Sequence, residues 1–316
     1  MKLEIISYKD LLDTANIVAH KNLESALLET GIVGIRDVPE FEEKSRAYVN
    51  AARAFSALPN EIKQQYVPDR DAGDMQGYEL GAEWFKNHAG EQQIDDKKAS
   101  YYGFVPDQSR NKWPREVDLK TPYLQLGELI FQTGQLLLNV MGLNVTAGLH
   151  HERLVAKARM LHYHKEGDLT NANPDWCGGH LDHGVFTGLM PAYYFRDNKE
   201  IAEPVEAGLH IVPSNGHDYE KVNATDKSVL LFQVGEFGQL ISNDRIKATK
   251  HIVKKAKEGI ERFAFALFYN ADEDTIIRSD SVLCHDTRYT QHQAKDGSIS
   301  YKKWEAASFE RYHARG

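Results

Sequence analysis

The second half of the chain is a series of short β-type runs cut by turn residues. They fall at Ala156 to Tyr163, Val185 to Leu189, Ala192 to Phe195, Leu209 to Val212, Val229 to Val234, Gly238 to Ser242, His251 to Val253 and Arg262 to Tyr269. Strands in such a series close into a sandwich or jelly roll.

The first half has a different texture. Leu11, Leu12, Ala15, Val18 and Ala19 recur at helical spacing, and Leu23, Ala26, Leu27 and Leu28 continue the stripe to Gly31. One helix is expected there, capped within Ser7 to Asp10 and stopped by the glycine. Residues 3–6 and Ile32 to Val38 read as strands on either side of it. Pro39 opens a second helix to about Leu58, and Glu61 to Tyr66 adds a helical turn. Residues 67–118 mix glycines with aromatics and read as loop with short strands, lining a site or filling core. Thr121 to Leu143 is the longest helix, apolar around much of its circumference. A short helix near 145–152 and a terminal one over Tyr301 to Tyr312 complete an α+β pattern.

Bulk properties narrow the function. The 316 residues are 41% hydrophobic, enough for a sizeable core. The net charge of −8 is the wrong sign for a nucleic-acid binder. No stretch approaches the roughly 18 apolar residues of a membrane span, and the N-terminus lacks a signal peptide's apolar run. Cys177 and Cys284 are too few for a disulfide framework, so reduced thiols in the cytoplasm are expected.

The stretch Gly179-His180-Leu181-Asp182-His183-Gly184 carries the chemistry. Residues two apart on a strand share a face, so His180 and Asp182 would stand side by side. An imidazole and a carboxylate together are two-thirds of a 2-His-1-carboxylate iron site. His251, at the start of a later strand, is the candidate for the third ligand. Cys177 reads as a small, partly buried thiol rather than a ligand, and His183 as a neighbour of the site. His150, His151, His162, His164 and His285 read as surface or hydrogen-bonded histidines. In the last strand Phe263, Phe265, Leu267 and Tyr269 alternate with Arg262, Ala264, Ala266 and Phe268. If the bulky face packs outward, Arg262 points into the barrel beside two small residues. A guanidinium there needs an anion, and its fork matches a carboxylate.

Taken in order, these segments resemble the isopenicillin N synthase-like family, a branch of the Fe(II)/2-oxoglutarate-dependent dioxygenases. That family's pattern is His-x-Asp, a distant His, then Arg-x-Ser. Leu27 to Ile35 and Phe55 to Lys63 are similar to its N-terminal segments, so the resemblance spans most of the chain. It implies a double-stranded β-helix with N-terminal helices and a C-terminal helix packed outside. Residues 1–150 would be the mainly helical region and 151–316 the jelly-roll core, as one compact unit. His180, Asp182 and His251 would ligate Fe(II), Arg262 would hold the distal carboxylate of 2-oxoglutarate, and Tyr163 would lie beside that co-substrate. The substrates would be O₂ and a small organic molecule. Pocket walls are expected from the aromatics of 78–104, from 190–207 and from the C-terminal segment.

The chain departs from the family at four points. Ala264 stands in place of the serine, Leu161 in place of a common asparagine, and Ile252 in place of a common arginine. The span from His180 to His251 is long, with the extra residues around Met190 to Ala207, where Asp197, Asn198 and Lys199 break the strand pattern. An iron oxidase that ignores 2-oxoglutarate therefore stays open, as does a non-catalytic jelly-roll binding module. A zinc hydrolase with a His-x-His-x-Asp-His signature would need histidine at position 178, which is Gly178.

Overall fold

The strand-rich half folds with two early segments into a pair of facing sheets. The computed structural model describes residues 1–81, 84–86, 91–143, 154–165, 175–214, 216–257 and 259–313. The helix expected near 145–152 lies outside them.

In chain order the first elements are β1 (Ile5–Ser7), α1 (Tyr8–Leu12), α2 (Ile17–Glu29), β2 (Ile32–Arg36), α3 (Phe41–Ser56) and α4 (Asn60–Lys63). Then come β3 (Gly77–Leu80), β4 (Trp84–Lys86), β5 (Gln92–Ile94), β6 (Lys98–Val105) and α5 (Lys120–Val140). The single helix expected at the start is two. Asp13 Oδ1 accepts from Ala15 N, and Asn16 Oδ1 caps α2 by accepting from Ala19 N at 3.1 Å. Short polar side chains that bond their own backbone compete with the helix, and here they divide it.

The later strands are β7 (Leu154–Tyr163), β8 (Asp175–His180), β9 (Phe186–Arg196), β10 (Lys199–Ile201), β11 (Gly208–Val212), β12 (Glu220–Lys221) and β13 (Leu230–Val234). Helix α6 (Glu236–Ile241) precedes β14 (Lys250–Lys254), β15 (Ile260–Ala271) and β16 (Ile276–Ile277). The chain ends with α7 (Thr287–Thr290), β17 (Ile299–Ser300) and α8 (Tyr301–His313).

The main sheet runs β1-β2-β13-β9-β15-β7-β6-β3, with β10 on the side of β9. It takes strands from both sides of residue 150. The smaller sheet runs β12-β11-β14-β8. Tyr163 and Ala264 of the large sheet and Trp176 and Val253 of the small one share an apolar cluster. Two such facing sheets with helices outside are the jelly roll expected.

The outward face of the main sheet is sealed by α3 and α5. Tyr48, Tyr123 and Tyr269 are fully buried there. The Tyr48 hydroxyl donates to Ala264 O at 3.0 Å, and the Tyr123 hydroxyl to Tyr101 O at 3.1 Å. Phe263, Phe265 and Leu267 belong to this core, so the outward orientation of that face holds.

Three strand expectations change. The runs at Val185–Leu189 and Ala192–Phe195 are one strand, β9. A register shift against β15 between Phe263 and Phe265 absorbs Pro191, which has no N–H to give a ladder. Asp197 and Asn198 do not end the pattern: both have positive φ (49° and 63°) and form the two-residue tip of the β9–β10 hairpin. Gly238 to Ser242 is not a strand but lies in and just after α6. Its apolar residues Phe237, Leu240 and Ile241 are at helical spacing. The helix starts where Gly235 and Gly238 press on backbone: a Cβ on either would meet Gly184 O or Val185 O at 2.2 or 2.3 Å. The 67–118 region also contributes more than loop, since β6 is an eight-residue strand inside the main sheet.

Candidate metal centre

His180 is the last residue of β8, and β14 runs antiparallel beside it with His251 directly opposite. Their ring centroids are 4.1 Å apart. Asp182 lies beyond the end of the strand, so the shared-face argument does not place it. The turn through Leu181 brings it back, and α6 holds that turn: Glu236 N donates to Asp182 O at 2.7 Å and Phe237 N to Gly184 O at 3.0 Å. Asp182 Oδ1 is then 3.5 Å from His180 Nε2 and 3.9 Å from His251 Nε2. One donor atom from each of the three residues lies within 4.8 Å of the others. Among the described residues this is the one such group.

The surrounding bonds orient the donors. His180 Nδ1 lies 2.7 Å from Gly178 O, and His251 Nδ1 3.1 Å from Thr249 O. These contacts turn both Nε2 atoms toward the carboxylate. Thr187 Oγ1 donates to Asp182 Oδ2 at 2.5 Å, and the buried Gln233 amide contacts both Asp182 Oδ2 (3.3 Å) and His251 Nδ1 (2.7 Å). Burial would raise the Asp182 carboxyl, but the two imidazoles and the Thr187 hydroxyl hold it well below its usual range. Burial and the neighbouring His180 charge push His251 down to about 4. Burial opposes a charge on His180 too, but Cys177 and Asp182 more than offset it and raise its pKa. The site thus carries a buried carboxylate that needs positive charge close by.

Cys177 and His183 stay outside the group. Cys177 Sγ is 3.8 Å from His180 Nδ1, on the side away from Asp182. His183 Nε2 faces Glu305 of α8 at 3.8 Å. His162 points to the opposite face of the main sheet, bonded to Glu261 at 3.0 Å. His150 and His151 lie outside the described residues.

A cavity of about 800 Å³, counted to its open mouth, runs between the sheets from the triad to Arg262. Arg262 is buried, with its Cζ 5.0 Å from the Tyr163 ring centroid and 5.9 Å from that of Trp176. Its Nε and Nη1 have no hydrogen-bond partner. Unpaired guanidinium donors in a buried site are costly, and the small Ala264 and Ala266 beside them leave room for an anion. Glu203, from the long 190–207 segment, also lines this end. It accepts from Tyr194 OH at 2.8 Å and pairs with Lys221 at 3.0 Å.

Sequence reasoning missed Thr187, Gln233, Tyr194 and Glu203. A lone polar residue in a strand carries no sign of its partner. Only the inward phase of β9 and β13, once their register is known, distinguishes Thr187 and Gln233 from ordinary strand residues.

No family model matches the chain, and no curated protein matches it. Solved structures do. A full-length Neurospora crassa protein, solved in complex with alpha-KG, superposes with a TM-score of 0.71 at 19% identity, over 99% of this chain and 96% of that one. A Caulobacter crescentus protein described as a 2OG-Fe(II) oxygenase family member gives 0.71 at 19% identity, over 98% and 99%. The dioxygenase for auxin oxidation from rice gives 0.69 at 16% identity, over 98% and 95%. The chain has the fold of the 2OG-Fe(II) oxygenases along nearly its whole length.

Proposed function

We propose that this protein is a non-haem oxygenase that uses Fe(II), 2-oxoglutarate and O₂ to oxidise a small organic molecule. One observation carries the reading. A His-Asp-His group and a buried guanidinium with two unpaired donors occupy opposite ends of one cavity. The donor set suits Fe(II): two imidazole nitrogens and one carboxylate on one side of an ion leave the other side open. Bound iron and 2-oxoglutarate supply the oxidising power, with succinate and CO₂ as the co-product pair.

The chain's own residues do the rest. His180, Asp182 and His251 hold the metal, while Thr187 and Gln233 keep the Asp182 carboxylate aimed at it. Arg262 takes the distal carboxylate of 2-oxoglutarate, with Tyr163 and Ala264 forming the wall around it. The Neurospora crassa protein, with which this chain shares its fold, was solved with alpha-KG and also with alpha-KG and thymine, which supports a small-molecule substrate here. The narrower likeness to isopenicillin N synthase rests on the sequence motifs. Residues 1–150 supply most of the helices and strands β1, β2, β3 and β6 of the main sheet, and 151–316 supply the residues of the proposed site, in one unit. No described helix is long and apolar enough to cross a membrane. Both described cysteines are free, which supports a reducing, cytoplasmic location.

A second reading keeps the iron and drops the 2-oxoglutarate. Ala264 offers no hydroxyl to a carboxylate, and Glu203 sets a negative charge in the same cavity. One titration separates the two. Anaerobic Fe(II) followed by 2-oxoglutarate should develop a weak visible charge-transfer band that Arg262→Leu weakens. Iron binding without the band selects the oxidase. Iron binding that survives Asp182→Ala removes the metal assignment itself.

A further inference from the structure

The C-terminal segment reaches the proposed metal centre without supplying a ligand to it. Helix α6 has six residues, too few to be stable by itself. Its first turn nevertheless grips the turn that carries Asp182. Glu236 N donates to Asp182 O at 2.7 Å, Phe237 N to Gly184 O at 3.0 Å and Gly238 N to Gly184 O at 3.2 Å. Whatever fixes α6 therefore helps to fix the carboxylate.

A buried ion pair ties α6 to the end of the chain. Glu236 meets Arg288 of α7, and both side chains are almost fully buried. Arg288 Nη1 donates to Glu236 Oε2 and Nη2 to Glu236 Oε1, each at 2.7 Å. The other guanidinium hydrogens go to Asp286 and to Ser308 of α8. Nε donates to Asp286 Oδ1 at 3.1 Å, Nη2 to Asp286 Oδ2 at 3.0 Å and Nη1 to Ser308 Oγ at 3.3 Å. All five donors of the fork are thus used. Trp304 of α8, fully buried, has its ring centroid 4.5 Å from Arg288 Cζ. Its Nε1 donates to His183 O at 3.4 Å, so α8 touches the same turn that α6 grips. The Tyr301 ring of α8 meets Phe237 of α6 edge-on at 4.6 Å. Desolvation offsets most of the attraction within a buried ion pair, so its net contribution to bulk stability is small. A fork held on two oxygens instead sets direction, which an apolar contact leaves free to slide.

We propose that Arg288 and Glu236 are positioning residues for the metal centre. They hold α6 against the Asp182 turn, fix the carboxylate for the ion, and so couple the C-terminal segment to metal binding. This rests on the metal assignment above. Neither residue is among the three donors, so both act through Asp182.

Anaerobic Fe(II) titration of the full chain tests this, with melting of the metal-free protein as a separate readout. Glu236→Gln turns an amide N–H toward one arm of the fork and should weaken Fe(II) binding about tenfold. Arg288→Lys keeps the charge without the fork and should lose less, severalfold. The double variant Glu236→Leu with Arg288→Met replaces the pair by an apolar contact. It should melt close to the wild type yet bind Fe(II) about tenfold more weakly, a split that a merely structural role does not give. Co(II) in place of iron adds a signature: its visible d–d bands in Glu236→Gln should move toward those of Asp182→Asn. If the double variant does not fold, Glu236→Gln and Arg288→Lys carry the comparison. Folded variants that bind Fe(II) as tightly as the wild type, with unchanged Co(II) bands, overturn this proposal alone. A wild-type protein whose Fe(II) affinity survives Asp182→Ala overturns the metal assignment and this proposal with it.

Discussion

The two sheets that enclose the cavity are built to different standards. In the large sheet β15 pairs with β7 through ten consecutive residues without a shift, and helices seal the outer face. In the small sheet the β14–β8 pairing shifts register on both sides of Val253, and Trp176 is the one fully buried residue of β8. Yet the small sheet carries His180 and His251, and Asp182 hangs from its end. Arg262, the proposed anion-binding residue, sits on the large one. The large sheet is thus held by packing. A metal held as proposed by His180, Asp182 and His251 would give the small sheet a fixed point that packing does not provide.

This contrast can be broken most forcefully in the core. Phe265→Ala should cost about 3–5 kcal/mol in a denaturant melt, while Val253→Ala in the small sheet should cost clearly less. Equal losses would erase the distinction. The next largest effect is the metal's own. Fe(II) at a hundred times its Kd should stabilise the wild type by about 2.7 kcal/mol and leave Asp182→Ala unmoved. Thr187→Val should follow, with a 10–100-fold loss of iron affinity measured by anaerobic titration, since it frees the carboxylate of Asp182, a proposed ligand. An unchanged affinity would show that α6 alone holds Asp182.

The most gradual effect, spread over several pH units, is acid sensitivity, which enters through the large sheet. Burial keeps His162 below its ordinary pKa, and burial with the nearby His162 and Lys63 charges takes His164 down to about 3. The unfolded chain takes up these protons first. The stability is therefore complete above about pH 6.5 and falls as pH drops toward 3, by at most about 1.4 kcal/mol per unit for each histidine. Glu261, lowered by its bond to His162, adds a loss of the same sign below its unfolded value. Melting of the metal-free protein against pH, with His162→Phe as the flattened control, checks this.

Much of this architecture was legible in the residues, for specific reasons. The β15 alternation fixed which face holds Arg262, because bulky and small residues cannot exchange faces without a one-residue slip. His251 was legible from its place at the head of a strand. The route by which Asp182 reaches His180 and His251 was not. It depends on α6, whose Phe237, Leu240 and Ile241 suit a strand or a helix until Gly235 and Gly238 are seen against backbone carbonyls. Residues 67–118 hid β6 because glycine and aromatics mark loops as readily as a central strand. Glu203 and Arg288 were invisible for a different reason: a lone charge reads as solvent-facing until its neighbours are known.

Strand β2 pairs with β1 on one side and β13 on the other, and β13 in turn pairs with β9. Thr249 Oγ1, two residues before His251, donates to Gly31 O at 2.7 Å, and a side chain on Gly31 would collide with it. A chain emerging from the ribosome must therefore hold the edge of β2 unsatisfied until β13 has been made, and the His180–Asp182–His251 group forms later still. Long-range pairing of this kind folds slowly. Nascent chains stalled before residue 230 should be the form of this protein most in need of a chaperone.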